Sequence, residues 1–224
     1  MKGSAIRSLI LKDWRLHRIH ILLSTVCGVA ALAVLLVGGE TATVLGSVWF
    51  FIALIVLGSM LPISNIVNER KKQNLPFVMS LPVSSLQYTW AKLISTVGMF
   101  LLPWLTLMAA ALWLIAGRGI LPHGTIPLTL ILANLTFIGF SVIAGASLVG
   151  ETEGWAIAGS IVCNSTYGLS WYFMTRVPAI VANLQSPTAV WNSTTLTILG
   201  SEFALMALIL GLTVYVQTRK RDFI

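Results

Sequence analysis

Long hydrophobic runs separated by shorter polar stretches dominate the chain. Six of them approach the roughly 20 residues with which a helix crosses a ~30 Å hydrocarbon layer. They cover approximately residues 19–37, 44–66, 93–116, 126–149, 155–175 and 196–216. None of the runs shows the alternation of apolar and polar residues that a membrane β-barrel strand needs. Lipid offers no water to hydrogen-bond with unpaired backbone N–H and C=O groups, so each run predicts a helix. The pattern predicts an all-α membrane protein with six transmembrane helices.

The stretch before the first run has a helical pattern of its own. On a helical projection its apolar residues share one side and its bases the other: Ile6, Leu9, Ile10 and Trp14 against Arg7, Lys12, Arg15 and Arg18. This predicts an N-terminal amphipathic helix over residues 1–18 that lies in the cytoplasmic membrane interface. Asp13 and His17 interrupt the apolar side. Asp13 either pairs locally with a base or contacts another helix or a partner.

The longest polar interruption in the first half of the chain reads NERKKQNLPFVMSLPVSSLQYTWAK, residues 68–92. It opens with a charged run, residues 69–72, and then turns apolar between residues 75 and 86, where Pro76 and Pro82 flank Phe77 and Met79. A short apolar element outside the bilayer has to bury that face. It either folds back on the membrane surface or docks into a groove of another protein.

Composition and charge agree with a membrane location. Of 224 residues, 57% are hydrophobic and only 9% charged, against about a quarter charged in soluble domains. If the N-terminus is cytoplasmic, twelve of the 14 Lys and Arg residues fall on the inner side. This positive-inside bias predicts a multi-pass cell-membrane protein with both termini in the cytoplasm. The net charge of +7 is thereby ascribed to topology and anionic lipid, with no nucleic-acid role.

Several motifs in this arrangement resemble type 2 ABC transporter permeases, the transmembrane subunits of ABC transporters. The dipeptide "ER" closes the second run, and "SLPVS", a tyrosine and "AK" then lead into the third. The chain also begins with "LILKDWRLHR" and ends with "RKRDFI", as many permeases of that family begin and end.

The resemblance implies a function and partners. The loop between the second and third spans, residues 67–92, would hold the coupling helix that sits in a cleft of a separate ABC ATPase subunit. The ATPase-coupling residues would be Glu69, Arg70, Leu75, Pro76, Phe77, Met79, Leu81 and Pro82. Residues 75–86 would dock and residues 69–72 would form a polar hinge. The partners would be that ATPase and a second permease copy or a paralogue, within an exporter.

The chain lacks the motifs of an enzyme. It has no GxxxxGK[ST] phosphate loop, no HExxH and no GxSxG, so we expect no catalytic residue, no metal and no cofactor in this chain. ATP and Mg²⁺ would bind to the partner ATPase. Cys27 and Cys163 both fall within predicted spans, which is typical of small core residues rather than of a disulfide or metal site.

Polar residues inside the runs are the candidates for a translocation path. Glu202 is the one ionisable residue well inside a run, and such a group is a functional hypothesis by default. It either snorkels outward or pairs with Arg176, or it lines the path together with Asn134, Asn164 and Tyr167. A single such group argues against an ion-coupled carrier.

The predicted organisation has three parts: the amphipathic helix 1–18, a six-helix permease domain 19–217, and a basic cytoplasmic tail 218–224. The external loop 176–195 would form short re-entrant or interfacial helices, which by the resemblance gate a substrate cavity. Glu151 and Glu153, in a short cytoplasmic turn, either meet bases of the ATPase or are solvated. The alternative function is a membrane scaffold or immunity-type protein that binds without transporting.

Overall fold

The fold is described here from a computed structural model that covers residues 2–71, 85–150 and 152–219, with backbone only for residues 2–6, 70, 71, 85 and 86. Within these ranges the regular secondary structure is helical, without a β-strand, as the hydrophobic runs predict. The helices are α1 (Lys2–Val37), α2 (Glu40–Pro62), α3 (Asn68–Lys71), α4 (Ser85–Arg118), α5 (Ile126–Val149), α6 (Glu153–Met174), α7 (Pro178–Val181) and α8 (Ser193–Arg219). A π-helical turn, Ile63–Val67, joins α2 to α3, and a 3-10 turn, His123–Thr125, precedes α5.

In the described part of the chain, five stretches are long and apolar enough to cross a membrane by length and composition. They are Arg7–Val37, Glu40–Val67, Gln87–Arg118, His123–Val149 and Ser193–Arg219. The all-helical class is therefore confirmed for these residues, together with five helices that have the length and composition of membrane spans. Helix α6 coincides with the predicted run 155–175 but is not one of the five, so a sixth span stays a prediction.

Helix α1 continues without a break across residues 18 and 19, where the amphipathic helix was expected to give way to the first span. No glycine or proline lies near that point, so nothing in the sequence ends the helix there. Its buried side includes Leu9, Asp13 and His17, whereas Leu16 is 63% exposed. The polar residues that interrupt the apolar side are therefore part of the contact with the rest of the bundle.

Helix α5 lies at the centre of the bundle and contacts α2, α4, α6 and α8. It contributes residues to three buried apolar clusters. Phe100 of α4 stacks on Phe140 of α5 with ring centroids 4.3 Å apart, and the Trp104 indole N–H donates to the Ala133 carbonyl at 3.2 Å. Helix α1 packs mainly against α2 and α4.

Helices α5 and α8 run in the same direction, as two contacts between them show. Asn134 pairs with Glu202, and further along both helices Gly145 faces Thr213 with the same sequence separation. A Cβ at position 145 would lie 2.6 Å from the Thr213 hydroxyl oxygen. The glycine therefore allows the two helices to approach closely, a common device between membrane helices.

The segment between α6 and α8 folds against the start of α5. It contains the short helix α7, in line with the expected short helices of loop 176–195. The Gly124 amide donates to the Ser186 carbonyl at 3.0 Å, and a Cβ on Gly124 would collide with the Asn183 carbonyl. Asn192 caps α8 by accepting the Thr195 amide at 2.8 Å.

Candidate functional site

A buried ion pair joins the N-terminal part of α1 to α4. The Lys92 ammonium lies 3.0 and 2.9 Å from the two carboxylate oxygens of Asp13, and both residues are 2% exposed. The Ser95 hydroxyl, one turn further along α4, donates to the same carboxylate at 2.9 Å. The structure shows both alternatives for Asp13: it contacts another helix through Lys92, and it also lies 3.8 Å from the neighbouring base Lys12.

Glu69 adds a second carboxylate to this pair. Its side chain, 8% exposed, contacts the Lys92 ammonium through Oε2 and accepts a hydrogen bond from the Lys12 ammonium through Oε1 at 2.6 Å. Lys12 in turn lies 3.8 Å from Asp13. Lys12, Asp13, Glu69 and Lys92 therefore form one group with balanced charge, which we call the four-charge cluster.

The π-helical turn after α2 supplies the remaining contacts of Lys92. Asn65, within that turn, offers its side-chain oxygen at 3.0 Å and its backbone carbonyl at 3.3 Å. Its amide group donates to the Thr96 hydroxyl at 2.8 Å. Local π-helical turns frequently occur at functional sites because the wider turn redirects side chains and frees carbonyls. Here the turn places both Asn65 and Glu69 towards Lys92.

The four-charge cluster affects the protonation of Glu69. Burial raises the pKa of this carboxyl, but the charge of Lys92 and the hydrogen bonds from Lys12 and Lys92 act more strongly in the opposite direction. The pKa of Glu69 is therefore lowered from its ordinary value of 4.5. At neutral pH Glu69 is a carboxylate, and the folded state favours that form.

Of the predicted ATPase-coupling residues, only Glu69 has a described side chain. It lies in α3, shortly before residues 72–84, and its partners come from α1 and α4. For Arg70 the backbone alone is described, in α3. The other predicted coupling residues lie outside the described ranges: Leu75, Pro76, Phe77, Met79, Leu81 and Pro82.

The four predicted path residues fall in two places. Asn134 of α5 donates to a carboxylate oxygen of Glu202 in α8 at 3.2 Å, and both side chains are buried. Glu202 thus bonds to Asn134 rather than to Arg176, whose guanidinium stacks on the Tyr172 ring with its central carbon 3.7 Å from the ring centroid. Within the described chain, the Asn134 side-chain oxygen has no hydrogen-bond partner.

Asn164 and Tyr167 lie on the other side of α5. With Ser59 of α2 and Thr136 of α5 they line a cavity of about 20 Å³, which is room for one water molecule. The Tyr167 hydroxyl is buried and finds no hydrogen-bond partner among the described residues. A water or a polar group of a bound molecule in this cavity would satisfy it.

The sequence did not indicate Lys92, Asn65 or Ser95 as site residues. Lys92 was counted as one of the cytoplasmic bases, and Asn65 and Ser95 look like ordinary polar residues at the ends of runs. The only available signal was that Asp13 interrupts an apolar helical face. In the described ranges no group of three or more His, Cys, Asp and Glu side chains could hold a metal ion.

Comparisons of this chain with protein-family models, with curated proteins and with solved structures gave no match.

Proposed function

We propose that this chain is the transmembrane subunit of an ATP-driven ABC exporter. It provides the translocation path and docks a separate ATPase subunit through its first cytoplasmic loop, residues 67–92. Two copies, or one copy and a paralogue, would surround a central path, and each would bind one ATPase. Closure of the ATPase dimer around nucleotide would push on the loop and tilt the helices.

The four-charge cluster is the observation that carries this proposal. It joins the last described helix before residues 72–84, α3, to the first helix after them, α4, and joins both to α1. A loop that receives force needs a firm base. A largely buried cluster in which each charge has opposite charges within 4 Å supplies one, because pulling one helix away from the others would leave charges uncompensated in a region of low dielectric.

The proposed topology has six spans and two cytoplasmic termini. Helix α6, 22 residues long, would be the fifth span. Its Asn164, Ser165 and Thr166 side chains are exposed in the single chain, and exposure of such polar groups to lipid is costly. A second subunit that covers this side of α6 would bring them into a polar path, together with Tyr167 nearby.

The proposed substrate class is taken from the resemblance to type 2 ABC transporter permeases. We propose an amphipathic compound, such as a peptide, a lipid-like molecule or an antibiotic, that moves outward. ATP and Mg²⁺ would be held by the partner ATPase.

The test is binding of an ABC ATPase, which we expect a neighbouring reading frame to encode. The chain and this ATPase are co-expressed and purified, and the ATPase that remains bound is quantified. We expect Met79→Glu and Leu81→Glu to reduce bound ATPase at least about tenfold, because a buried carboxylate in an apolar docking face costs several kcal/mol. The control Thr188→Glu, on an exposed residue of the outer segment, should bind as the native chain does.

Unchanged binding in both loop variants would argue against docking through this loop. It would favour the membrane scaffold or immunity-type protein. Circular dichroism and gel filtration of each variant verify that loss of binding does not reflect unfolding.

A further inference from the structure

The N-terminal part of α1 has a specific electrostatic attachment to the rest of the bundle. Only Asp13 and Lys12 provide its ionic contacts in the four-charge cluster, and they face carboxylate and ammonium groups from α3 and α4. Apolar contacts accompany them, since Leu9 is buried and Trp14 packs on the cluster around Phe100. Apolar packing alone has no fixed direction, whereas charge-assisted hydrogen bonds fix an orientation.

Lys92 is the centre of this attachment. Its ammonium has three hydrogens to donate but lies close to five acceptors, supplied by Asp13, Asn65 and Glu69. Each of the two ammonium groups, of Lys12 and Lys92, lies within 4 Å of both carboxylates. If one helix shifts slightly, an ammonium group can therefore exchange one carboxylate for the other, and no buried charge is left without an opposite charge nearby.

We propose that Lys92, Asp13 and Glu69 are positioning residues that make the N-terminal part of α1 move together with the helix ends flanking residues 72–84. Displacement of the end of α3 or of the start of α4 is passed to α1 through Lys92. The purpose of this linkage rests on the proposed function, because only a loop that receives force needs it. The linkage itself does not depend on an ATPase.

A second argument comes from the cost of the arrangement. Asp13, Glu69 and Lys92 are buried, whereas the Lys12 side chain is 41% exposed. Burying two carboxylates and one ammonium group carries a desolvation penalty that apolar residues of similar size would avoid, and replacing such pairs by apolar residues is often neutral or stabilising. Asp13 and Lys92 are almost completely buried, so stability alone does not explain them. A role in holding one defined geometry does.

The test measures the distance between α1 and α4 by double electron–electron resonance. Spin labels are attached to Leu11→Cys and Trp90→Cys, whose native side chains are 46% and 43% exposed. The background carries Cys27→Ala and Cys163→Ala, which removes both native thiols, and the full chain is in lipid nanodiscs. We expect one narrow distance distribution for this background.

Lys92→Met should broaden the distribution about twofold, because two buried carboxylates lose their shared ammonium. Lys12→Met should broaden it less, since Glu69 keeps its contact with Lys92. The matched control Arg15→Met removes an exposed base of the same helix and should leave the distribution unchanged.

A double variant separates positioning from stability. Asp13→Leu with Lys92→Leu replaces the pair by apolar residues, and its thermal unfolding midpoint should stay close to that of the background. We expect its distance distribution to be broadened nevertheless. A narrow distribution in the double variant would overturn the proposal, and so would equal broadening by Arg15→Met. Neither result bears on whether an ATPase binds the loop, which the Met79→Glu experiment decides separately.

Discussion

At the scale of single residues, the carboxylates of Asp13 and Glu69 share the ammonium group of Lys92. Their common partner Lys92 is 79 residues from Asp13 along the chain. Helical periodicity relates only residues a few positions apart, so a contact between separate helices follows from packing and could not be derived from the pattern.

The pH dependence of stability tests the position of Glu69. A carboxyl whose pKa is lowered in the folded state stabilises that state at pH values above its unfolded pKa, and this contribution disappears as the pH falls through the folded pKa. We therefore expect Glu69→Gln to lower the free energy of unfolding by about 1–3 kcal/mol near pH 7, and the difference from the native chain to vanish well below pH 4.5.

The measurement is chemical unfolding of both proteins in detergent across this pH range. Glu40→Gln, on an exposed carboxyl at the start of α2, is the matched control and should differ little from the native chain at any pH. A difference between Glu69→Gln and the native chain that is the same at every pH would contradict the ion contacts of Glu69.

At the scale of helices, the hydrophobic runs predicted the elements well because a long apolar run has few alternatives in lipid. The runs 126–149 and 155–175 correspond closely to α5 and α6. Other features depend on contacts between helices. The π-helical turn Ile63–Val67 and the unbroken course of α1 past residue 18 are examples, since neither has a marker in the apolar pattern.

The close contact of α5 with α8 gives a prediction at this scale. Gly145→Ala should lower the free energy of unfolding by about 1–3 kcal/mol, because the new methyl group would overlap the Thr213 hydroxyl. Thr213 cannot easily turn away, since its hydroxyl donates to the Ile209 carbonyl at 2.8 Å. Gly168→Ala in α6 is the control. No atom lies within 4 Å of the added carbon there, so the higher helix propensity of alanine should leave stability equal or slightly raised.

Thermal or denaturant unfolding in the same detergent compares the two variants. If Gly145→Ala were as stable as Gly168→Ala, helices α5 and α8 would not be as close as the structure has them.

At the scale of the whole molecule, the buried polar groups of the described residues fall into two regions. The four-charge cluster lies at one end of the bundle, where α1, α3 and α4 meet. The candidate path residues lie inside the bundle on two sides of α5, as the pair Asn134 and Glu202 and as the cavity beside Tyr167. Asn134 and Glu202 are buried, and Tyr167 and Asn164 line the cavity, although Asn164 is exposed in the single chain. Their role in a translocation path stays a prediction. The sequence alone could not show which of these residues lie together, because that depends on which face of α5 each neighbouring helix covers.

The side of the membrane on which residues 72–84 lie decides whether the proposed docking is possible, because a loop that faces outward cannot meet an ATPase. Met79→Cys in the background without native cysteines is treated with a membrane-impermeant maleimide, in intact cells and in inside-out vesicles, beside Thr188→Cys as a control for the opposite face. We expect Met79→Cys to react only in inside-out vesicles and Thr188→Cys to react only in intact cells. Reaction of Met79→Cys in intact cells would contradict docking of an ATPase through this loop.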